Sequence, residues 1–218
     1  MRIKPNLATT ILAVLALGLG LTAGLGPRPL AAQTAEAEAA VEAPLVADMA
    51  LGNPEATVTV IEYASFTCPH CMNFHLNVFG QLKADYIDTG KIHFIYREVY
   101  FDRFGLWAGM VARCDNGSRY FGIAELLYEG QRDWIADGEP ATVAANLRKI
   151  ARTAGIEEEA LDACMSDEAM ARAMVEAYRE NAERDGINST PSFVIDGVKY
   201  DNMPYDEFSA LLDEKLGG

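Results

Sequence analysis

The sequence predicts an α/β domain interrupted by a long helical insertion. Three observations carry this. A β-branched, apolar run (Thr57 to Tyr63, TVTVIEY) leads into a paired-cysteine motif and a helical spacing, and a second apolar run follows from Lys91 to Val99 (KIHFIYREV). From about Phe104 to Asp185 the pattern is helical throughout, and the chain then ends on a hairpin signal and one more helix. The order is therefore βαβ, helical insert, ββα. A strand–helix–strand unit with a short return implies a parallel pair.

Each element has its own signal. Thr57 to Tyr63 is bounded by the Asn53-Pro54 turn and by the cysteine motif, as a buried strand is. Phe74, Val78, Leu82 and Ile87 recur at roughly helical spacing until Asp88-Thr89-Gly90 ends the run. In the insert, Val143, Leu147, Ile150 and Ala151 form one amphipathic face closed by Gly155. Met170, Met174, Ala177 and Tyr178 form another, closed by Gly186, and this spacing is that of helix packing rather than of a cofactor contact. Ser192 to Ile195 and Val198 to Tyr200 flank Asp196-Gly197, a two-residue hairpin signal. Pro204 opens the last helix, with Tyr205, Phe208, Leu211 and Leu212 inward.

The 218 residues are half apolar and suffice for one well-buried core. Arg2 and Lys4 precede an uncharged run from Leu7 to Leu25, and Leu30-Ala31-Ala32 supplies small residues before Gln33. That order is the order of a cleavable secretory signal peptide. The alternative is an uncleaved membrane anchor, weakened by the glycines and threonines in the run. No cysteine near the cut points to a lipid anchor, and no twin-arginine pair points to export in the folded state. Loss of residues 1–32 removes three cations and no acid, which moves the formal charge from −14 to −17. So acidic a chain argues against nucleic acid and anionic membrane surfaces as partners. Gln33 to Met49, rich in Ala and Glu, reads as a flexible leader or a frayed helix.

The chemistry lies in Cys68-Pro69-His70-Cys71. Two cysteines three apart at a helix start can close a small disulfide. Cys68 is expected at the exposed first turn and Cys71 one turn deeper. Unpaired backbone N–H groups and the helix dipole favour negative charge there, and His70 adds to this. The thiolate is the nucleophile of disulfide exchange. Pro69 fits a first turn, where a missing N–H is harmless. A stabilised thiolate exists only in the reduced form, so it makes the disulfide the stronger oxidant. A purely structural bond would close too short a loop to stabilise much. Half of a zinc site would need a second Cys or His pair, and none has suitable spacing.

The run Val60-Ile61-Glu62-Tyr63-Ala64-Ser65-Phe66 into Cys68-Pro69-His70-Cys71 resembles the active-site strand and motif of the DsbA family of thiol-disulfide oxidoreductases. Thr190-Pro191-Ser192-Phe193-Val194-Ile195-Asp196-Gly197 resembles that family's cis-proline loop and following hairpin. The likeness runs from Val58 to the C-terminus. It implies a thioredoxin-like fold with an inserted helical domain: signal peptide 1–32, flexible leader 33–55, first part of the thioredoxin-like domain 56–103, helical insertion 104–186, and second part 187–218. It implies Cys68 as nucleophile, Cys71 as resolving thiol and His70 as the tuning residue. It places Thr190-Pro191, with a cis bond, opposite the sulfurs, where Thr190 pairs with extended substrate. On residues alone Thr190-Pro191 reads as an ordinary loop. The resemblance also implies exported unfolded proteins as substrates, a membrane reoxidation partner of the DsbB type, a periplasmic location, and neither cofactor nor resident metal.

Glu62 is an acid inside an apolar strand. Burial would raise its pKa and let it carry protons for Cys71; the other reading puts it in solvent at a sheet edge. Cys114 and Cys164 remain in the insert. In an oxidising compartment an even remainder points to a second, structural or tuning disulfide, with buried free thiols or a regulatory pair as alternatives. Competing functions are an isomerase or reductase on the same fold, and a Cu(I)-binding thiol protein using Cys68, Cys71 and His75. Isomerases of this kind usually carry a dimerisation domain, and residues 33–55 are short for one.

Overall fold

The computed structural model describes residues 46–217. The expected signal peptide and most of the expected leader lie outside the described residues. The sheet has five strands in the order β1-β3-β2-β4-β5. At its centre, β2 (Val58–Ala64) pairs in parallel with β3 (Ile92–Glu98), Glu62 opposite Tyr96. On its other side β2 pairs antiparallel with β4 (Ser192–Ile195), Glu62 opposite Phe193. Both faces of β2 are covered, which is why its sequence is a near-continuous apolar run.

β4 turns into β5 (Val198–Asp201) through Asp196 and Gly197, at φ 49° and 81°. Both turn residues are left-handed, as a type I′ hairpin requires, and the Asp-Gly pair supplies them.

Met49–Gly52 forms an edge strand, β1, antiparallel to β3 with Met49 opposite Tyr96. This corrects the leader expected at 33–55 over Met49–Gly52; residues 33–45 lie outside the described residues. Met49 and Leu51 turn toward the core and pack against it. The run is short, lacks β-branched residues, and gains its partner only from β3.

The helix after the motif is one helical run with two wide turns. α1 (Pro69–Phe74) passes into π-helical His75–Phe79, then α2 (Gly80–Leu82), then π-helical Lys83–Ile87. The insertion holds α3 (Arg103–Arg113), α4 (Tyr120–Glu129), α5 (Gln131–Ile135), α6 (Pro140–Thr153), α7 (Glu158–Met165) and α8 (Glu168–Arg184). Val143, Leu147 and Ala151 are buried on α6, whereas on α8 only Met174 is fully buried. α9 (Tyr205–Gly217) buries Phe208 and Leu212 and packs against β2 and α2.

α4 packs against α1 and the first π stretch. An aromatic cluster fills the space beneath: Phe66 lies 5.7 Å from Tyr96 and 5.3 Å from Tyr128 by ring centroids. The insertion is thereby built into the same core as the sheet, against the helix that carries the cysteines.

Candidate active site

β2 delivers the chain to the site. Beyond Ala64, Ser65 and Phe66 stay buried, and the Cys68 N–H donates to the Ser65 carbonyl at 3.1 Å. Cys68 is the N-cap of α1, extended at φ −83° and ψ 120°, with Pro69 in the first turn. Its own carbonyl accepts the Met72 N–H at 3.1 Å, which starts the helix. Both cysteines are free thiols, Cys68 8% exposed and Cys71 fully buried. Cys68 is more covered than a first-turn position leads one to expect, because a second loop lies over it.

That loop is Thr190-Pro191, joined by a cis peptide bond. The Cys68 thiol donates to the Thr190 carbonyl at 3.6 Å across a separation of 122 residues. Two remote segments thus meet at one sulfur. The ordinary-loop reading of Thr190-Pro191 leaves this contact out.

The two thiols are electrostatically unlike. A hydrogen bond from the Cys71 thiol brings the Cys68 pKa from 9.0 to about 5; burial opposes it, while the side chain of Thr190 and the backbone N–H groups of Cys71 and His70 add to it. Burial, reinforced by the neighbouring Cys68, pushes Cys71 well above the usual thiol range. His70 contributes through its backbone N–H; its ring is exposed.

Glu62 is fully buried on the central strand, not at an edge. Its two carboxylate oxygens lie 3.0 and 3.1 Å from Nε2 of His75. His75 stacks on Tyr128 at 4.1 Å, and Tyr128 shares a 2.5 Å hydrogen bond with Tyr96. His75 is therefore neither a surface residue nor a free donor beside the cysteines. The copper reading loses its third ligand to this pairing. Among the described residues no group of three or more His, Cys, Asp or Glu side chains is placed to hold a metal ion.

Sequence reasoning missed Gln131. From the first turn of α5 its buried side chain donates to the carbonyls of Phe66 at 2.9 Å and Cys68 at 3.0 Å. A lone glutamine at a helix start carries no motif or periodic signal. Cys114 and Cys164 are disulfide-bonded with Cα atoms 5.7 Å apart, tying the end of α3 to α7.

A βαβ unit with a dithiol at its helix start, faced by a cis-proline loop, defines a thioredoxin-fold protein. The family model described as Thioredoxin matches residues 45–214. The structure of Wolbachia pipientis alpha-DsbA1 is 31% identical at a TM-score of 0.71, covering 80% of this chain and 93% of that one. A Rickettsia bellii relative, provisionally named a protein-disulfide oxidoreductase, is 30% identical over 170 residues, 78% of this chain. The chain spans 64% of that relative's length. Bacillus subtilis disulfide bond formation protein D is 27% identical over 177 residues, with 77% of each chain covered. The chain belongs to the DsbA family of thioredoxin-fold proteins.

Proposed function

We propose that this chain donates the Cys68–Cys71 disulfide to exported proteins through a mixed disulfide at Cys68. The observation that carries the reading is the asymmetry of the pair. Cys68 is held toward the thiolate while Cys71 is buried and held as a thiol. A substrate thiolate attacking Cys68 expels Cys71. Attack on the mixed disulfide by a second substrate thiolate then expels Cys68, a good leaving group because its thiolate is stabilised. Thr190 offers its carbonyl beside the sulfur, where an extended substrate segment can pair as an added strand.

The basic, apolar and small-residue order of residues 1–32 supports a periplasmic location. A quinone-linked membrane partner of the DsbB type would restore the disulfide. Equilibration with glutathione redox buffer tests the direction. The expected potential lies well above the roughly −270 mV of thioredoxin. A value near that figure makes the protein a reductase. Reactivation of a scrambled-disulfide protein at rates that exceed its oxidation of reduced substrate makes it an isomerase.

A further inference from the structure

We propose that His75 is the group through which buried Glu62 exchanges protons with solvent as the Cys68–Cys71 pair turns over. The proposal rests on the exchange reading above and deepens it. In that reaction a substrate thiolate attacks Cys68 Sγ, the Cys68–Cys71 bond breaks, and Cys71 leaves with the electron pair. A second substrate thiolate then takes the substrate sulfur, and Cys68 leaves as a thiolate. Two electrons pass from the substrate dithiol to the cysteines, and the substrate's two protons go to solvent. Cys71, buried and favouring the thiol, must take up one proton, and must lose it when a partner disulfide reoxidises the pair.

Solvent does not reach Cys71 or Glu62, since both are fully buried. Cys71 lies one turn before His75 on the same helical run, and Glu62 lies beneath that run on β2. Glu62 is bound by both oxygens to one nitrogen, Nε2 of His75. With Glu62 ionised, Nε2–H donates to the carboxylate; with Glu62 protonated, its O–H donates to Nε2. In either arrangement one proton occupies the line between them; passing it from a protonated imidazole to the carboxylate neutralises both partners, and returning it charges both.

The His75 side chain is 9% exposed, against 0% for Glu62. It lines a cavity of about 410 Å³ between the first π stretch and α4. Glu125 and Glu129 stand exposed at the mouth, with Lys83 on His75's own helical run. Tyr96 from β3 and Tyr128 from α4 complete the titratable groups facing the imidazole, and burial keeps both phenols neutral. His75 also opens a π-helical stretch, a feature concentrated at functional positions. It is a positioning and proton-carrying residue that acts through Glu62 and does not touch the sulfurs.

The test is stopped-flow oxidation of a model dithiol peptide by the full oxidised protein across pH. His75→Gln keeps a hydrogen-bond donor but cannot change protonation state. The proposal expects it to slow exchange about 10²-fold, as loss of general acid–base transfer does, with a flattened pH profile. His75→Ala opens space next to the cavity, so imidazole should restore its rate. Pyrazole, of the same size but a far weaker base, should not. A wild-type rate and pH profile for His75→Gln overturns the proposal. So does equal rescue by pyrazole, which would reduce His75 to packing. A wild-type protein that leaves the peptide reduced overturns the exchange reading itself, and this proposal with it.

Discussion

The side-chain amide of Gln131 holds the carbonyl of Cys68 at 3.0 Å, so the helical insertion grips the backbone of the first cysteine of the motif. The same amide holds the carbonyl of Phe66 at 2.9 Å. Gln131→Leu leaves a buried carbonyl without a donor, at about 1–3 kcal/mol. Urea unfolding of the variant should show that loss. Absorbance of the Cys68 thiolate at 240 nm should also titrate at a changed pH, because the cap that aligns the thiol has loosened. Unchanged stability with an unchanged titration would make the grip incidental.

The lowered pKa of Cys68 predicts a pH dependence confined to the reduced protein. A group whose folded pKa is about 5, against 9.0 unperturbed, contributes stability that is fully present above 9.0 and is lost as pH falls toward 5. Cys71 has the opposite sign, and its contribution is lost only above the unperturbed value of 9.0. Between the two values the reduced form should therefore gain on the oxidised form as pH rises. Paired unfolding curves of both forms at the two ends of that window measure it. Iodoacetamide should alkylate Cys68 with a midpoint near 5 and spare Cys71. A midpoint near that of a free thiol would contradict the assigned electrostatics.

The Cys114–Cys164 bond closes a loop of 50 residues. The chain-entropy treatment of such a loop gives about 4 kcal/mol of stabilisation through the unfolded state. The double substitution to alanine should lower stability by an amount of that order while thiol exchange at Cys68 persists. Peptide mapping without reductant should recover the two cysteines linked. Unlinked peptides would exclude the bond.

Glu98 and Arg113 form a bidentate pair at 2.7 and 2.6 Å, both side chains largely buried. Arg113 also donates to the carbonyl of Ala47 at 2.8 Å, which joins the start of the described chain to α3. Glu98→Ala leaves a buried guanidinium uncompensated and should cost about 3–5 kcal/mol. Replacing both partners with apolar residues of similar size should cost much less. Equal losses for the single and double variants would mean that packing, not charge, dominates there.

Much of the fold was legible where a local rule acts alone. The Asp196-Gly197 turn needs only the conformational freedom of its two residues. The central strand needs only continuous apolar character, and the helix start only a cysteine cap followed by proline. β1 was not legible, because four residues without β-branching become a strand only when β3 offers an edge. The wide turns from His75 onward were not legible either, because a period of 3.6 and a local π turn leave nearly the same apolar spacing.

The site divides in the same way. Local sequence was enough for the Cys68–Cys71 pair, its place after a buried strand, and a Thr-Pro loop whose partner it did not name. Those features depend on residues adjacent in the chain, so spacing and residue type suffice. Packing of remote segments set the rest: Glu62 buried against His75, Thr190 over Cys68, and Gln131 bonded to the loop from the insertion. Each of these joins segments far apart in sequence. Hydrogen bonds at about 3 Å depend on how helices and strands pack, and no local pattern records that distance. The Cys-Pro-His-Cys turn is therefore written in sequence, and the contacts that surround and orient it are properties of the folded chain.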